Sequence, residues 1–522
     1  MEKAAVARVA RGSAYLVAGT LASNVISVVA FMIITGWFLL PDQMALATVV
    51  LFFIMLGQMV ADVGTSTSIV KFLSQARARG ESLRPIVSGA VAGQTAISLA
   101  YAVILAFFAD ELATSLLGAQ AHAVLFYMAS ADVVFFCLST TLAAALVGLD
   151  RMKEVCAVRI ITAVARQGGA IGLLWLGLGV AGYVGGWLIG DLASLVVSGA
   201  LNLLALRGSS SSSRGALDAL RSLWRFSWPI MITNLANLAF LWFDRLLILF
   251  QIVGAGAERW ELGVYDVAMK AYAAITMVPL NIAMALFTYY GESYGREDTE
   301  AIRSSTLLTS RYLSLLFVPT ALGLAALSGP TLAFFTRGRY TAGAIALTVF
   351  GVSGAFTALT PMLSFLLITY ERTLAFLGAN VAAIAGSLAL SPILLPSYGI
   401  RFGTALIRGV ANALLFVFYL ALTRDIAPID GITFIKALAG SSIMALAVYA
   451  FQALWFDLVL LPAYVLLGVA IYAFCVRLLR ALRPEDVVLL SEVLPEKLRK
   501  PVLVLGFLLA SPSPSGGAAE GH

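Results

Sequence analysis

The chain has 522 residues, of which 61% are hydrophobic and 12% charged, with a formal net charge of +6. About a quarter of a soluble domain is charged, so this chain cannot clothe a water-facing surface, and lipid must be its main solvent. Backbone in lipid has to satisfy its own hydrogen bonds, and unbroken apolar runs of about 20–25 residues select helices over barrel strands.

The chain opens with a basic stretch, Met1 to Arg11, and an apolar run from Ala14 to Leu40. That run is too long for the core of a cleaved signal, so the first helix reads as an uncleaved anchor. Fourteen spans are predicted, at 14–38, 44–66, 86–108, 123–147, 160–177, 183–206, 227–253, 263–290, 312–334, 344–369, 374–395, 403–422, 437–457 and 461–480. An even number puts both termini on one side. Lysine and arginine crowd the alternate segments on the side of the N-terminus, while the opposite loops hold only Arg259, Arg337, Arg339 and Arg401. This asymmetry predicts a multi-pass protein of the cytoplasmic membrane with both termini in the cytoplasm.

The run Ser209 to Ser213 lies in a polar segment after the sixth span. The predicted organisation is a six-helix bundle in 1–206, a cytoplasmic linker in 207–226 and a second six-helix bundle in 227–422. Two further helices occupy 423–480, and 481–522 forms a cytoplasmic tail. In that tail an amphipathic helix is predicted from Pro484 to about Leu494, an interfacial segment from Pro501 to Ala510, and disorder from Ser511 to His522. The second half echoes the first. Gly185-Gly186-Trp187-Leu188-Ile189-Gly190 matches Gly403-Thr404-Ala405-Leu406-Ile407-Arg408, Leu149-Asp150-Arg151 matches Tyr370-Glu371-Arg372, and Asn24 matches Asn237. These matches share nearly one period and occupy equivalent places. Six spans per half give a parallel repeat, a plan of transporters in which the substrate path lies between bundles.

Charge inside a membrane costs about 2.5–3.5 kcal/mol on the insertion scale, so such residues pair internally or line water. Asp132, Asp191, Asp244, Arg245, Lys270 and Arg408 lie within spans, with Asp62 and Asp266 nearer their ends. Helical spacing aligns Asp266, Lys270, Asn281 and Thr288, and likewise Asn234, Asn237, Asp244 and Arg245. Asp191, Ser194, Ser198 and Asn202 align, as do Thr404, Arg408 and Asn412. Ser353, Thr357, Thr360 and Ser364 align beside Pro361, a kink site. Thr20, Ser23, Asn24 and Ser27 share a side of the first span. Serine, threonine and asparagine also glue helices together, which is the plainer reading of each alone. Lys270, Arg408 and Arg245 are the candidate cations for an anionic headgroup such as a phosphate. Asp62, Asp132, Asp191, Asp244, Asp266, Asn24, Asn237 and Asn281 are the polar cavity or ion-coupling candidates, the coupling ion being a proton or sodium.

No enzyme chemistry stands out. The phosphate-binding loop of an ATPase is absent, the outer loops are too short for a glycosyltransferase site, and His122 and His522 are the only histidines. No metal and no cofactor are expected. Cys137, Cys156 and Cys475 lack metal or redox spacing and read as small packing residues. Nucleic acid is not an expected partner, since the positive charge follows topology.

Phe243-Asp244-Arg245, then Gly263-Val264-Tyr265-Asp266-Val267-Ala268-Met269-Lys270, Val278-Pro279 and Gly291-Glu292 resemble the seventh and eighth spans of a known family. Ala61-Asp62-Val63-Gly64-Thr65 and Leu395-Pro396-Ser397-Tyr398-Gly399-Ile400-Arg401-Phe402-Gly403-Thr404-Ala405 do likewise. The family is that of the polysaccharide and lipid-linked oligosaccharide flippases, O-antigen flippase-like members of the multidrug/oligosaccharidyl-lipid/polysaccharide (MOP) exporter superfamily. The resemblance covers most of 10–480. It implies a V-shaped pair of bundles that moves a polyprenyl- or dolichyl-linked oligosaccharide to the outer leaflet, with the headgroup in a cationic cavity and the lipid tail in the bilayer. Lys270 fits that role, with Arg245 and Arg408 as further candidates. The related lipid II flippases carry arginines in their first two spans. This chain has none between Arg11 and Lys71, which argues against lipid II as substrate. The expected partners are membrane lipid, the lipid-linked glycan and glycan-assembly proteins, around a monomer. The alternatives are a cation-coupled multidrug or metabolite exporter of the same superfamily and a non-transporting scaffold of a glycan synthase.

Overall fold

A computed structural model describes residues 2–482 apart from 63, 81, 208–212 and 456. The expected helix, interfacial segment and disordered end of the tail, and the serines at 209–212, lie outside the described residues. Among those described, every regular element is helical.

In chain order, α1 (Glu2–Ile33) runs into a π-helical turn at Ile34–Phe38, followed by α2 (Pro41–Asp62) and α3 (Thr65–Ala78). Next come α4 (Arg84–Phe107), α5 (Ala109–Leu116), α6 (Ala123–Gly148), α7 (Met152–Trp175) and α8 (Gly179–Ala205). The middle of the chain forms α9 (Ser213–Ala255), α10 (Trp260–Gly295), α11 (Thr299–Ala326) and α12 (Ser328–Thr336). Then follow α13 (Ala344–Thr357), α14 (Thr360–Thr369), α15 (Thr373–Leu388), α16 (Ser391–Thr423), α17 (Gly431–Leu454) and α18 (Leu461–Leu478).

Twelve helices among the described residues are long and apolar enough to cross a membrane, or thirteen when the bent pair α13–α14 is one span. The expected eleventh span, 374–395, holds α15, a shorter apolar helix. Proline and glycine account for the interruptions. Pro361 opens α14 after a bend of 43°, because proline removes a donor and its ring collides with the preceding turn. Within α16 the backbone breaks at Gly399, whose φ of 75° and ψ of 172° only glycine adopts readily. The twelfth span therefore begins after Gly399, close to the expected start at 403. Phe107, Trp175, Leu203, Phe250 and Leu446 stand mostly exposed on the helix surfaces, which lipid covers and water would not.

The chain divides into two compact units. Unit 1 comprises Met1–Val267 with Phe335–Tyr340, and unit 2 comprises the remainder. The division differs from the boundary read at 207–226. Helix already resumes at Ser213, inside the expected linker, and α9 packs against α2, α3, α4 and α5. Within unit 1, α8 lies on α6 and α7, α4 on α6, and α1 on α7. The short segment Phe335–Tyr340 belongs here because the Tyr340 hydroxyl donates to the Leu39 carbonyl at 3.0 Å and Arg337 lies over the Trp37 ring.

Within unit 2, α16 lies on α13, α14 and α15, and α11 lies on α13. The sixth span packs on the fourth and fifth, and the twelfth on the tenth and eleventh, so the repeat in sequence is also a repeat in packing. The turns repeat as well. Asp150 after α6 and Glu371 after α14 both take positive φ, at 64° and 58°. The next residue's N–H closes each turn, Arg151 onto Leu146 and Arg372 onto Leu367, both at 2.9 Å. These are paired helix C-caps that satisfy otherwise orphaned carbonyls. The last two helices pack on each other and on α11, where the Tyr472 hydroxyl donates to the Leu315 carbonyl at 2.9 Å.

Candidate functional site

Three polar groups among the described residues hold most of the candidate charges, two in unit 1 and one in unit 2. The first joins α9, α10 and α2. The Arg245 Nε donates to Asp266 Oδ1 at 2.6 Å, and Thr48 Oγ1 donates to Asp266 Oδ2 at 3.0 Å. The Tyr265 hydroxyl donates to Asp244 Oδ2 at 2.9 Å. Arg245 also stacks over Trp242, 4.7 Å from the ring centre. Asp244 and Asp266 are fully buried, and each has a donor that offsets its desolvation. Sequence alone offered Arg245 as a headgroup cation, and the structure engages it with two carboxylates and a ring.

The second group joins α6, α7, α8 and α2. Arg166 Nη2 meets Asp191 Oδ1 at 2.5 Å, and its guanidinium lies over Trp187. Asp132, Gln58 and Asp191 are buried around it, and Asp191, Arg166 and Gln58 act directly on the Asp132 carboxyl. The close approach of α7 and α8 makes this arrangement possible. Gly182, Gly186 and Gly190 recur every four residues on the face of α8 towards α7. A Cβ on Gly186 would lie 2.6 Å from the Ala170 backbone, and one on Gly190 2.9 Å from the Arg166 backbone. This is a small-residue helix contact in which dispersion between close backbones replaces the hydrophobic effect. Arg166 is the residue that sequence reading missed, although it lies within the expected span 160–177. The glycine spacing in α8 was the available signal. Nearby, Asp62 accepts from the Ser66 hydroxyl at 2.6 Å, an arrangement at the end of α2, and Gln94 donates to the Ala61 carbonyl.

The third group lies in unit 2 on α10, α13 and α16. Arg408 is 6% exposed at the middle of α16. Tyr272, two residues beyond the half-buried Lys270, bonds Thr357 through its hydroxyl at 2.5 Å and feels the charge of Arg408. Thr404, one turn before Arg408, is fully buried. Asn412, one turn after it, donates to Ser353 Oγ at 3.2 Å. No aspartate or glutamate occurs in α13 to α18, whereas both groups of unit 1 are rich in carboxylates.

The remaining candidates are dispersed. Asn24 is half-buried and Asn237 exposed, while Asn281 donates to the Met277 carbonyl one turn back in its own helix. The hydroxyl stripes largely satisfy themselves. Ser23, Ser198, Ser353, Thr360 and Ser364 each donate to a carbonyl three or four residues earlier. Such a bond removes the need for water, so alignment of hydroxyl groups does not by itself mark a wet face.

The model of the family described as "Polysaccharide biosynthesis protein" matches residues 9–292. A probable multidrug resistance protein NorM of Bradyrhizobium diazoefficiens is 29% identical over 158 residues, which are 28% of this chain and 30% of that relative's length. Among solved structures, lipid II flippase MurJ in an inward closed conformation superposes with a TM-score of 0.69 at 15% identity, over 88% of this chain and 97% of that one. An inward-facing MATE family transporter of the MOP superfamily gives a TM-score of 0.59 at 16% identity, over 77% and 95%. At such identities these likenesses concern the fold.

Proposed function

The chain belongs to the polysaccharide biosynthesis protein family, and from that premise we propose that it is a flippase. Its cargo in this reading is a lipid-linked oligosaccharide of the polyprenyl- or dolichyl-phosphate type. It carries that cargo across the cytoplasmic membrane by alternating access, with both termini in the cytoplasm. It is a transporter and not an enzyme, acting on membrane-bound glycan that other proteins assemble. The fold it shares with a lipid II flippase and MATE transporters supports the transport class.

The observation that carries the choice of an anionic cargo is Arg408. A buried arginine at the middle of α16 lies beside the Tyr272 hydroxyl of α10, which bonds Thr357 of α13. Arginine binds phosphate oxygens through two parallel hydrogen bonds, which suits a lipid phosphate or diphosphate. Lys270 supplies a second cation on α10. The absence of arginine from the first two spans beyond Arg11 sets the cargo apart from lipid II.

The test is transport of a fluorescent lipid-linked oligosaccharide by the full chain in proteoliposomes. Lys270→Glu and Arg408→Glu are expected to lower the flipping rate at least tenfold, with thermal melting of each variant measured beside it to separate lost transport from lost fold. Lys270→Arg should retain transport. Unchanged flipping in both charge reversals would sink the anionic-headgroup reading, and a scaffold is the form of protein that tolerates them. The NorM likeness supports one other reading, export of small cations, which uptake of a cationic dye by the same liposomes distinguishes.

A further inference from the structure

The Asp132 side chain has zero exposure, and its carboxyl faces Asp191, the Arg166 guanidinium and the Gln58 amide. Asp191 Oδ2 and Gln58 Nε2 are both buried beside it. The charge count shows why the two carboxyls cannot both stay ionised. Two carboxylates and the single guanidinium of Arg166 leave one uncompensated negative charge on buried groups, which is among the costliest arrangements a protein can hold. Among the described residues, the elements around α6 bring no second cation to these carboxyls: Arg159 of α7 is turned to Thr20, and Lys153 of α7 and Arg84 of α4 are exposed. α7 gives Arg166, α8 gives Asp191 and α2 gives Gln58. Gln94 of α4 is turned to the Ala61 carbonyl, and Asp62 faces Cys137 and Ser66. On α3, Lys71 is exposed and Arg77 pairs with Asp150, while Asp110 and Glu111 of α5 are exposed.

We propose that Asp132 and Asp191 together hold one proton inside unit 1 and form a proton-binding site. A protonated carboxyl supplies the donor that two facing carboxylates lack, so one proton both balances the charge and lets one carboxyl bond the other. The guanidinium bonded to Asp191 keeps that carboxylate charged and places the proton on Asp132. A metal cation fits the site less well. The guanidinium repels it, and no group of three or more His, Cys, Asp or Glu that could hold a metal occurs among the described residues. Gly186 and Gly190 draw α7 and α8 together here, so the proton sits where those two helices meet α6. Any motion that admits water to this junction changes the cost of the Asp132 charge, and the proton therefore biases the equilibrium between closed and opened junctions. On the transporter reading, this is where a proton gradient acts.

The test needs no glycolipid, so its failure and that of the flippase reading are separate. Infrared spectra of the purified full chain in lipid nanodiscs are compared for the parent, Asp132→Asn and Asp62→Asn. The expected result is a protonated-carboxyl stretch at neutral pH that Asp132→Asn removes and Asp62→Asn keeps. Asparagine mimics the neutral acid, so Asp132→Asn should melt with the parent, and Asp132→Leu is the apolar variant to use if it does not fold. An identical carboxyl band in the parent and in the folded Asp132 variant overturns the proposal. So does stabilisation of the parent, but not of Asp132→Asn, by sodium over potassium at equal ionic strength, since the site then takes sodium.

Discussion

Arg311 and Asp430 show how a single pair anchors a helix end. Arg311 Nε meets Asp430 Oδ2 at 2.8 Å, and Asp430 also accepts from the Thr433 N–H as the N-cap of α17. Burial alone would raise the Asp430 carboxyl, but the Thr433 N–H, the Arg311 guanidinium and the Thr433 hydroxyl together hold it below its ordinary 3.8. A lowered folded pKa means stability that is fully present above 3.8 and lost as the pH falls through the folded value. Melting of the protein in detergent should thus fall on the acid side, and Asp430→Asn should flatten that slope while keeping the cap. Asp430→Ala removes cap and partner together and should cost on the order of 3 kcal/mol, because Arg311 is left buried. Residue identity alone could not settle such roles. Arg245, Arg408 and Arg166 are the same side chain in apolar sequence, yet Arg245 lies against Asp266, Arg166 against Asp191 and Arg408 near Tyr272.

At the scale of elements, the approach of α7 to α8 is the strongest constraint. Gly186→Ala and Gly190→Ala put a methyl group into backbone that cannot withdraw, and each should cost about 1–3 kcal/mol of overpacking. Gly168→Ala and Gly172→Ala meet nothing within 4 Å on α7. They should be neutral or stabilise by about 0.5–1 kcal/mol, as glycine weakens a helix interior. Melting temperatures of the four variants check this pattern, and equal losses in all four would refute it. The glycine spacing and the repeated Asp-Arg and Glu-Arg turns were legible in the sequence because caps and close contacts demand particular residues. The start of α9 at Ser213 was not, since polar composition favours a linker whether or not a helix continues through it.

For the whole molecule, the orientation is the expectation with most consequence. Cysteines placed at Arg296 and at Arg339 in a chain freed of Cys137, Cys156 and Cys475 should react with a membrane-impermeant thiol reagent from opposite faces. Arg339 is the one expected to label in intact cells, and labelling of both from one face would refute the span order. Sequence by itself determined the solvent, the helical class, nearly all the spans and the doubling of a six-span plan, because each follows from local hydropathy, charge and spacing along one chain. Only the tertiary structure decided which intramembrane charges are already engaged. It set Asp266 against Arg245 and Arg166 against Asp191, and it buried Asp132 beside Asp191 with no guanidinium of its own. Pairing across helices depends on which faces meet, and the period of one helix says which residues share a face but not what that face will touch.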